Sequence, residues 1–290
     1  MQLKVFLNGE FVNGKDAAIS VFDHGVLYGD GVFEGIRSYK RRVFRLKDHL
    51  DRLYSGARAI RLRIPMTKES FQEKIIETLR VNGLDNAYVR AVVTRGIGDL
   101  GLDPRKCKAP TVFIITDKID LYPEVFYESG LSIAIAKTRR NPACSLNPRI
   151  KSLNYLNNIL GKIDAIDAGT EEAIMLSIEG YVTECTGDNI FIVRDGKLMT
   201  PPCDLGSLEG ITQKAVIELA LKRDISTEYK EMLPEELCQA EECFLTGTAA
   251  EVIPVVKIDE KAIGTGKPGR ITKQLRRDFG KLTETDGVEY

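Results

Sequence analysis

The sequence contains little histidine and no long apolar run, and each absence excludes a class of protein. Its 290 residues include two histidines, too few for a histidine-rich metal site, so we predict that no metal is bound. No apolar run approaches the roughly 20 residues that a membrane-spanning helix needs. The N-terminus has no basic stretch leading into an apolar core, so we expect no signal peptide. The six cysteines lack metal-ligand spacing, which favours mostly buried thiols in a reducing cytoplasm.

The charges are nearly balanced, and this balance limits the expected partners. Lysine and arginine total 41 against 42 acidic residues, a net charge of −1, so nothing in the total indicates a nucleic-acid or membrane partner. The composition, 43% hydrophobic and 29% charged, is typical of a soluble globular protein. A chain of this length can form two domains of ordinary size.

The first part of the chain predicts a small α+β domain over residues 1–120. Residues 3–12 alternate around Asn8-Gly9, which is a strong hairpin signal. Helical spacing of apolar residues follows at 47–62 and again at 67–80. Helices interleaved among mostly antiparallel strands indicate an α+β arrangement. The strands are predicted at 32–38, 42–46, 88–94 and 111–116.

A larger second domain is predicted over residues 131–290. Residues 121–130, part of a stretch that loses strand alternation and carries Pro123, form the predicted interdomain linker. The C-terminal segment LTETDGVEY is expected to be poorly ordered. The predicted strands of this domain lie at 131–137, 173–177, 189–193, 243–246 and 251–256, and its predicted helices at 152–168, 211–222 and from 267 onward.

Two residues carry the strongest chemical signal of the chain. Lys151 stands in KSLNYLNN and Glu184 in ECTGDNIF. A lysine whose amine is unprotonated forms Schiff bases with aldehyde cofactors. A carboxylate beside a pyridine nitrogen keeps that nitrogen protonated and the ring electron-withdrawing. Either residue alone means little, because lysine and glutamate are common on protein surfaces, so the surrounding residues decide.

The surrounding residues resemble those of a known family. The order Glu184-Cys-Thr-Gly-Asp-Asn189-Ile-Phe191, then Leu198-Met-Thr200, then Leu208-Glu-Gly210-Ile211-Thr212 resembles the signature of the class IV aminotransferases, which are fold-type IV pyridoxal-phosphate enzymes. Gln213 departs from it, because lysine or arginine is usual there. KSLNYLNNIL resembles the Schiff-base segment of the family. The resemblance covers nearly the whole chain and is greatest to branched-chain amino-acid aminotransferases.

The resemblance implies a fold and an activity. The fold would be α+β, a two-domain fold-type IV enzyme with a smaller N-terminal α/β domain and a larger C-terminal β-barrel-like domain with surrounding helices. The enzyme would move an amino group between the branched-chain L-amino acids leucine, isoleucine and valine and 2-oxoglutarate, as in amino-acid biosynthesis. Its partners would be small amino acids and 2-oxo acids. It would be cytoplasmic and self-associate as a homodimer or a dimer-based hexamer.

The resemblance also implies which residues hold the ring of pyridoxal 5′-phosphate. Lys151 would bind the aldehyde carbon and later move the substrate proton, and Glu184 would contact the ring nitrogen. Tyr155 lies four residues after Lys151, so a helix there would place both on one face and bring the phenol to the ring hydroxyl.

The phosphate of the cofactor needs an anion site. Gly210-Ile211-Thr212 stands where a glycine turn meets a predicted helix, so the Ile211 and Thr212 amides could bind phosphate. The resemblance adds Leu208 from the same segment, the Thr248 hydroxyl, and Arg52, which matches the phosphate arginine in HLxRL. From its spacing alone, Arg52 reads as a solvated helix-face residue.

The first domain is expected to complete the substrate pocket. Tyr28 and Phe33 lie in LYGDGVFEG, which resembles the aromatic pocket segment of the family. Tyr88 and Arg90 alternate on one strand face, and the matching Tyr-x-Arg of branched-chain enzymes binds the distal carboxylate of 2-oxoglutarate. Thr248 and Ala249 in TGTAAEV are the expected substrate contacts from the second domain.

Three alternatives stay open at this point. A D-amino-acid aminotransferase would use the same residues, but that group tends to carry an Arg-x-His carboxylate trap where this chain has Gly98-Asp99. An aminodeoxychorismate lyase shares the cofactor, and Tyr88-x-Arg90 argues mildly against it. A non-catalytic cofactor-binding protein would have lost Lys151 or Glu184, and both are present.

Overall fold

The computed structural model describes residues 3–119 and 121–290. Contacts between residues divide the chain into two compact units. The first consists of Met1–Ile119, Ile150–Asn154 and Thr283–Tyr290, and the second of Asp120–Arg149 and Tyr155–Leu282.

These units differ from the predicted domains at Ile150–Asn154 and Thr283–Tyr290, which pair with strands of the first unit. The domain boundaries at 1–120 and 131–290 stay a prediction, and residues 1, 2 and 120 of the first domain lie outside the described part.

The first unit is built on a sheet with the strand order β16-β4-β3-β5-β6-β1-β2, and its pairs are antiparallel. The Asn8-Gly9 hairpin forms as predicted, with Asn8 and Gly9 both at positive φ. Three helices accompany the sheet in the described part of this unit. The strands are β1 Lys4–Leu7, β2 Glu10–Asn13, β3 Gly31–Tyr39, β4 Arg42–Val43, β5 Ala87–Thr94, β6 Thr111–Asp117 and β16 Val288–Glu289, and the helices are α1 His24–Tyr28, α2 Leu46–Ala59 and α3 Lys68–Asn82.

The long helices of this unit cover the sheet with their apolar residues. The Thr67 hydroxyl accepts a hydrogen bond from the Ser70 amide and begins α3, and Gly83 ends it in the left-handed conformation. Periodic apolar positions of α2 and α3 then meet the sheet in one core. The fully buried members from the two helices are Leu46, Leu50, Leu53, Phe71, Ile75 and Leu79.

The expectation of a poorly ordered C-terminal segment is wrong. Strand β16 pairs with β4, and the Tyr290 side chain is buried. Its hydroxyl hydrogen-bonds with the Leu84 carbonyl at 2.6 Å and Ser38 Oγ at 3.0 Å. The segment is ordered because it completes an edge of the sheet, a contact that its polar composition does not show.

The second unit is built on a mixed sheet with the strand order β12-β11-β10-β13-β14-β7-β8-β9, and β15 pairs with β14. Its parallel pairs are β11 with β12, β14 with β7, and β7 with β8. The strands are β7 Leu131–Ile135, β8 Glu172–Leu176, β9 Val182–Cys185, β10 Asn189–Arg194, β11 Lys197–Thr200, β12 Thr227–Tyr229, β13 Glu242–Gly247, β14 Glu251–Ile258 and β15 Lys261–Ala262, and the helices are α4 Glu124–Ser129, α5 Leu156–Asp167, α6 Ile211–Leu221, α7 Pro234–Leu237 and α8 Arg270–Thr283.

The segment predicted as a linker has regular structure. Residues 121–130 contain α4, and Tyr122 packs in the core of the second unit. No helix in the described ranges, 3–119 and 121–290, is long and apolar enough to cross a bilayer. The thiols are less buried than predicted, because only Cys185 and Cys243 are buried and Cys144 is exposed.

Candidate active site

Lys151 lies in an extended segment beside β3 rather than at the start of a helix. The Phe33 amide donates to the Lys151 carbonyl at 3.0 Å, and the Leu153 amide donates to the Gly31 carbonyl at 3.0 Å. Ser152 forms an antiparallel bridge with Val32 between these two bonds. The backbone of the lysine is therefore fixed by strand-like pairing.

This pairing overturns one sequence expectation. Helix α5 begins at Leu156, and Tyr155 is the residue that precedes it, with φ −95° and ψ 7°. Lys151 and Tyr155 therefore do not share a helix face. Tyr155 belongs to the second unit, and its predicted contact with the cofactor stays a prediction.

Aromatic rings and cations gather on the face of the sheet that carries Phe33. The Lys151 Nζ lies 4.7 Å from the centre of the Phe33 ring, and the guanidinium carbon of Arg90 lies 4.4 Å from it. Arg90 also stands 5.5 Å from the Tyr88 ring. A Cβ at Gly35 would come within 2.0 Å of the Tyr88 hydroxyl, so only glycine leaves room for this phenol. The structure thus brings together four predicted residues, Phe33, Tyr88, Arg90 and Lys151.

Arg90 differs from the buried arginines of the molecule. Among residues 3–119 and 121–290, no carboxylate lies within ion-pair distance of it, and its contacts are the two rings. A guanidinium that stacks on aromatic rings is attracted by their π electrons. Its N–H groups point outward in the guanidinium plane, where they can still bind an anion.

Tyr28 contacts a glycine-rich loop, RGIGDLGLD, over residues 95–103. Its hydroxyl donates to the Leu100 carbonyl. His24 from the same helix lies with Nε2 2.8 Å from the Asp99 carbonyl oxygen. Helix α1 therefore holds the middle of this loop at two neighbouring carbonyls.

Arg52 is part of a buried ion cluster, so its interpretation as a solvated residue is wrong. Its Nε and Nη2 donate to the two carboxylate oxygens of Glu34 at 2.7 and 2.8 Å. His49 Nδ1 lies 2.8 Å from Glu34 Oε2. Burial raises the pKa of Glu34, but the charge and hydrogen bonds of Arg52, with help from His49, bring it down to about 2. Burial also lowers the pKa of His49, which favours its neutral form.

In the second unit, Glu184 is held from two sides on β9. Its Oε1 lies 2.8 Å from Arg140 Nη2, and its Oε2 accepts a hydrogen bond from the Leu208 amide at 3.0 Å. Both Glu184 and Arg140 are buried, each with 5% of its surface exposed. The sequence analysis missed Arg140, because no local motif connects it with a residue that is distant in the chain.

The N-terminus of α6 forms a potential anion site. The preceding residue is Gly210, which has no side chain to cap the helix. The amides of Ile211 and Thr212 therefore lie in a first turn whose N–H groups have no intrahelical acceptor. A Cβ at Gly210 would come within 2.0 Å of Asn189 Oδ1, so glycine is required there. Asn189 Nδ2 donates to the Leu208 carbonyl at 2.9 Å and orders the approach to the helix.

The turn with Thr248 and Ala249 follows a strand that pairs with the strand of Asn189. It joins β13 to β14, and Asn189 pairs with Thr246 across β10 and β13. Within the described residues, the buried Thr246 hydroxyl has no hydrogen-bond partner. The second unit therefore brings together Glu184, Leu208, Gly210, Ile211 and Thr212. The predicted contacts of Thr248 and Ala249 stay a prediction.

The departure at Gln213 has a structural role. The residue is buried in α6, and its Nε2 donates to Thr200 Oγ1 at 3.2 Å. Thr200 in turn donates to the Ile190 carbonyl at 2.8 Å. A neutral amide suits this position because its partner, the Thr200 hydroxyl, is neutral. No group of three or more His, Cys, Asp or Glu residues in the described ranges is arranged to hold a metal ion.

The first unit places a lysine beside aromatic rings, and the second places a helix N-terminus that follows a glycine near a buried glutamate. These are the groups that an enzyme with a phosphorylated aldehyde cofactor needs. The sequence pattern of the family described as amino-transferase class IV matches residues 31–258, and the chain belongs to this family. The predicted family, enzyme class and two-domain α+β fold are confirmed.

Relatives extend the similarity over the whole chain. A putative branched-chain-amino-acid aminotransferase of Methanocaldococcus jannaschii is 50% identical over 99% of each chain. The crystal structure of the Escherichia coli branched-chain amino acid aminotransferase has a TM-score of 0.95 and 32% identity, covering 98% of this chain and 95% of that one. The branched-chain amino acid aminotransferase of Thermobaculum terrenum, solved in its PLP form (the holo-form), has a TM-score of 0.88 and 30% identity, covering 97% and 94%.

Proposed function

We propose that the protein is an aminotransferase that moves an amino group between branched-chain L-amino acids and 2-oxoglutarate, with pyridoxal 5′-phosphate as its cofactor. The observation that carries the substrate assignment is Arg90, a cation on the same aromatic face as Lys151 with no carboxylate partner in the described residues. An apolar pocket that must also accept an acid needs such a charge. The names of the relatives support this activity over the D-amino-acid aminotransferase and the aminodeoxychorismate lyase.

The donor groups of the second unit fit the cofactor. A phosphate needs N–H and O–H donors, and the first turn of α6 with the Thr248 hydroxyl supplies them. The buried Thr246 hydroxyl, two residues before Thr248, has no hydrogen-bond partner among the described residues, and this also suits a polar ligand. When bound, the cofactor supplies an electron-withdrawing ring that stabilises the charge left by loss of the substrate Cα proton.

The residues of the chain have distinct roles in this proposal. Lys151 would hold the cofactor and, as a free amine, would carry the proton to and from the substrate Cα. Glu184 would contact the ring nitrogen, and Tyr155 the ring hydroxyl. Arg90 with Tyr88 binds the distal carboxylate of the acidic substrate. The remaining proposed contacts are Arg52, Leu208, Gly210, Ile211, Thr212 and Thr248 for the cofactor, and Tyr28, Phe33, Thr248 and Ala249 for the substrate.

The experiment that tests the function starts from Lys151. We expect the purified enzyme to convert L-leucine, L-isoleucine and L-valine with 2-oxoglutarate, and borohydride to attach the cofactor to Lys151. Lys151→Ala should abolish both the adduct and turnover. Lys162→Ala is the control, because the ammonium group of this half-exposed lysine donates to the Glu171 carbonyl, outside the cluster of Phe33, Arg90 and Lys151. An adduct on Lys162, or a preference for D-alanine, would contradict the proposal.

The substrates are small molecules, and we propose in addition that the enzyme self-associates as a homodimer or a dimer-based hexamer. Helix α5 supports this, because apolar side chains project from it at helical spacing: Leu156 is 66% exposed, Ile159 52% and Ile163 44%. Such a stripe is typical of a face covered by another chain. We expect Ile159→Asp to reduce the mass in light scattering, while Leu221→Asp on α6 leaves it unchanged.

A cytoplasmic location is the remaining part of the proposal. It is supported by the substrates, since free amino acids and 2-oxo acids are made and consumed in that compartment. Cell fractionation with an antibody to the enzyme tests it, and recovery in a membrane or secreted fraction would contradict it.

A further inference from the structure

Arg140 is a buried cation that no motif of the sequence predicts, and it contacts the carboxylate of Glu184 directly. We infer that Arg140 is a positioning residue for the reaction. It acts through Glu184, holding that carboxylate ionised and in a fixed plane against the ring nitrogen of the cofactor. The inference rests on the proposed function, because it takes Glu184 as the partner of that nitrogen.

The first support is the burial of the pair. Glu184 and Arg140 each expose 5% of their surface, and the closest oxygen and nitrogen are 2.8 Å apart. A carboxylate removed from water is costly to keep ionised without a counter-charge. Glu184 needs a negative charge to hold a proton on the ring nitrogen, and Arg140 provides the balancing positive charge inside the same unit.

The second support is the number of bonds that fix Arg140. Its Nε donates to the Gly206 carbonyl at 3.0 Å, and its Nη1 donates to Asn158 Oδ1 at 2.8 Å. Asn158 in turn donates through Nδ2 to the Thr186 carbonyl at 2.8 Å, two residues beyond Glu184. The planar guanidinium is therefore anchored to the loop before Leu208, to α5 and to the end of β9. A lysine cannot make this set of bonds.

The third support is the way both oxygens of Glu184 are held. Arg140 contacts Oε1, and the Leu208 amide contacts Oε2. Two contacts on different oxygens fix the plane of a carboxylate, and the plane sets the direction in which it accepts further hydrogen bonds. Leu208 itself belongs to the segment that leads into α6, so one network orders the ring partner and the phosphate donors together.

The test reads the proton on the ring nitrogen directly. The holoenzyme is reconstituted with cofactor labelled with ¹⁵N in the ring, and the nitrogen shift distinguishes the protonated from the neutral ring. We expect a protonated ring in the unaltered enzyme and in Arg140→Lys, which keeps the charge. Arg140→Gln keeps hydrogen-bonding capacity without charge, and we expect a neutral ring there, as in Glu184→Gln. Turnover of Arg140→Gln should fall roughly tenfold to a hundredfold, as when the group that orients a catalytic ligand is removed.

Two other outcomes would distinguish a failure of the Arg140 inference from a failure of the proposed function. A protonated ring in Arg140→Gln together with a neutral ring in Glu184→Gln overturns the role of Arg140 and leaves the proposed function intact. A protonated ring in Glu184→Gln would instead remove Glu184 from the proposed site.

If Arg140→Gln alone does not fold, the double variant Arg140→Gln/Glu184→Gln removes both buried charges. The double variant should show turnover within about threefold of Glu184→Gln, because a residue that acts through Glu184 adds nothing once that carboxylate is gone. A further loss greater than about tenfold would assign Arg140 another role and overturn the inference.

Discussion

Each unit of the molecule contains a buried carboxylate paired with an arginine, and the two pairs have opposite expected roles. In the first unit, Glu34 is fully buried and Arg52 keeps 13% of its side chain exposed. In the second unit, both members are buried, and the N–H groups of Arg140 bind the Gly206 carbonyl and Asn158 as well as Glu184. We therefore expect the arginine to be the ligand-binding member in the first pair and the carboxylate in the second. A buried arginine–carboxylate pair can therefore present either its arginine or its carboxylate to a ligand. The other hydrogen bonds of the two residues determine which of them it is.

The strongest test of this comparison is Glu184→Gln. The amide keeps the shape of the side chain but cannot hold a proton on the ring nitrogen, so turnover should fall by about two to three orders of magnitude. Cofactor affinity should change much less, because the phosphate donors are untouched. Glu179→Gln, at an exposed position, is the control. Near-normal turnover in Glu184→Gln would mean that this carboxylate does not act on the ring.

Arg90 is a third arginine to compare with Arg52 and Arg140, and it forms no ion pair with a carboxylate among the described residues. Arg90→Met should weaken the glutamate and 2-oxoglutarate half-reaction roughly tenfold to a thousandfold, since a charged hydrogen bond lost from a closed site costs about 2–5 kcal/mol. Leucine makes no use of the charge, so its half-reaction should change little and serves as the control in single-turnover kinetics. Equal losses for leucine and glutamate would indicate a structural arginine.

Glu34→Gln should show the reverse pattern of Glu184→Gln. Arg52 would lose the carboxylate that orients it, and cofactor affinity should fall roughly tenfold to a hundredfold. Turnover at saturating cofactor should stay within about threefold. Asp51→Asn is the matched control, because this half-exposed residue lies next to Arg52 on the same helix and forms an ion pair with Lys68 instead. A loss of turnover with unchanged affinity would break the comparison between the two pairs.

The smallest effect concerns stability in acid. Glu34 has a pKa of about 2 in the folded protein against 4.5 for an ordinary glutamate, so its ionisation stabilises the fold above about pH 4.5 and the contribution disappears as the pH falls toward 2. The contribution is about 3 kcal/mol at most. Thermal unfolding should show a steeper loss over this range in the unaltered protein than in Glu34→Gln. Equal slopes would show that Arg52 does not hold the charged form of Glu34.

His49 adds a separate step at higher pH, with its own sign. Burial lowers the pKa of His49 below 6.5. Just below pH 6.5, His49 therefore binds a proton in the unfolded chain but stays neutral in the folded protein. Stability therefore falls as the pH drops through about 6.5, and this step should persist in Glu34→Gln.

Local signals in the sequence predicted the parts of the fold that depend on neighbours in the chain. Asn8-Gly9 formed its hairpin, and Thr67 and Gly83 bound the ends of α3. The extended conformation at Lys151 could not be predicted, because it results from pairing with Gly31 and Phe33, far away in the sequence. The helix predicted from Ser152 therefore begins only at Leu156, where that pairing has ended.

The candidate site shows the same limit. The signature identified Glu184 and Gly210, whose neighbours in the chain form the motif. It did not identify Arg140, which lies 44 positions away from Glu184, or the burial of Arg52 by Glu34. The partner of a functional residue is set by packing, and one sequence contains no direct record of it.

The pairing of β16 with β4 has a consequence for how the protein is made. The sheet of the first unit is complete only when Thr283–Tyr290 and the Lys151 segment have joined it. A ribosome that adds about 5–20 residues per second delivers the Lys151 segment roughly two to six seconds after Ile119, and Thr283–Tyr290 roughly eight to thirty-five seconds after it. The start of β3 has an unpaired edge until the Lys151 segment arrives, and β4 has one until Thr283–Tyr290 arrives. All strands of the second unit precede Thr283 in the chain. The sheet of the first unit therefore cannot be completed until the strands of the second unit have been synthesised.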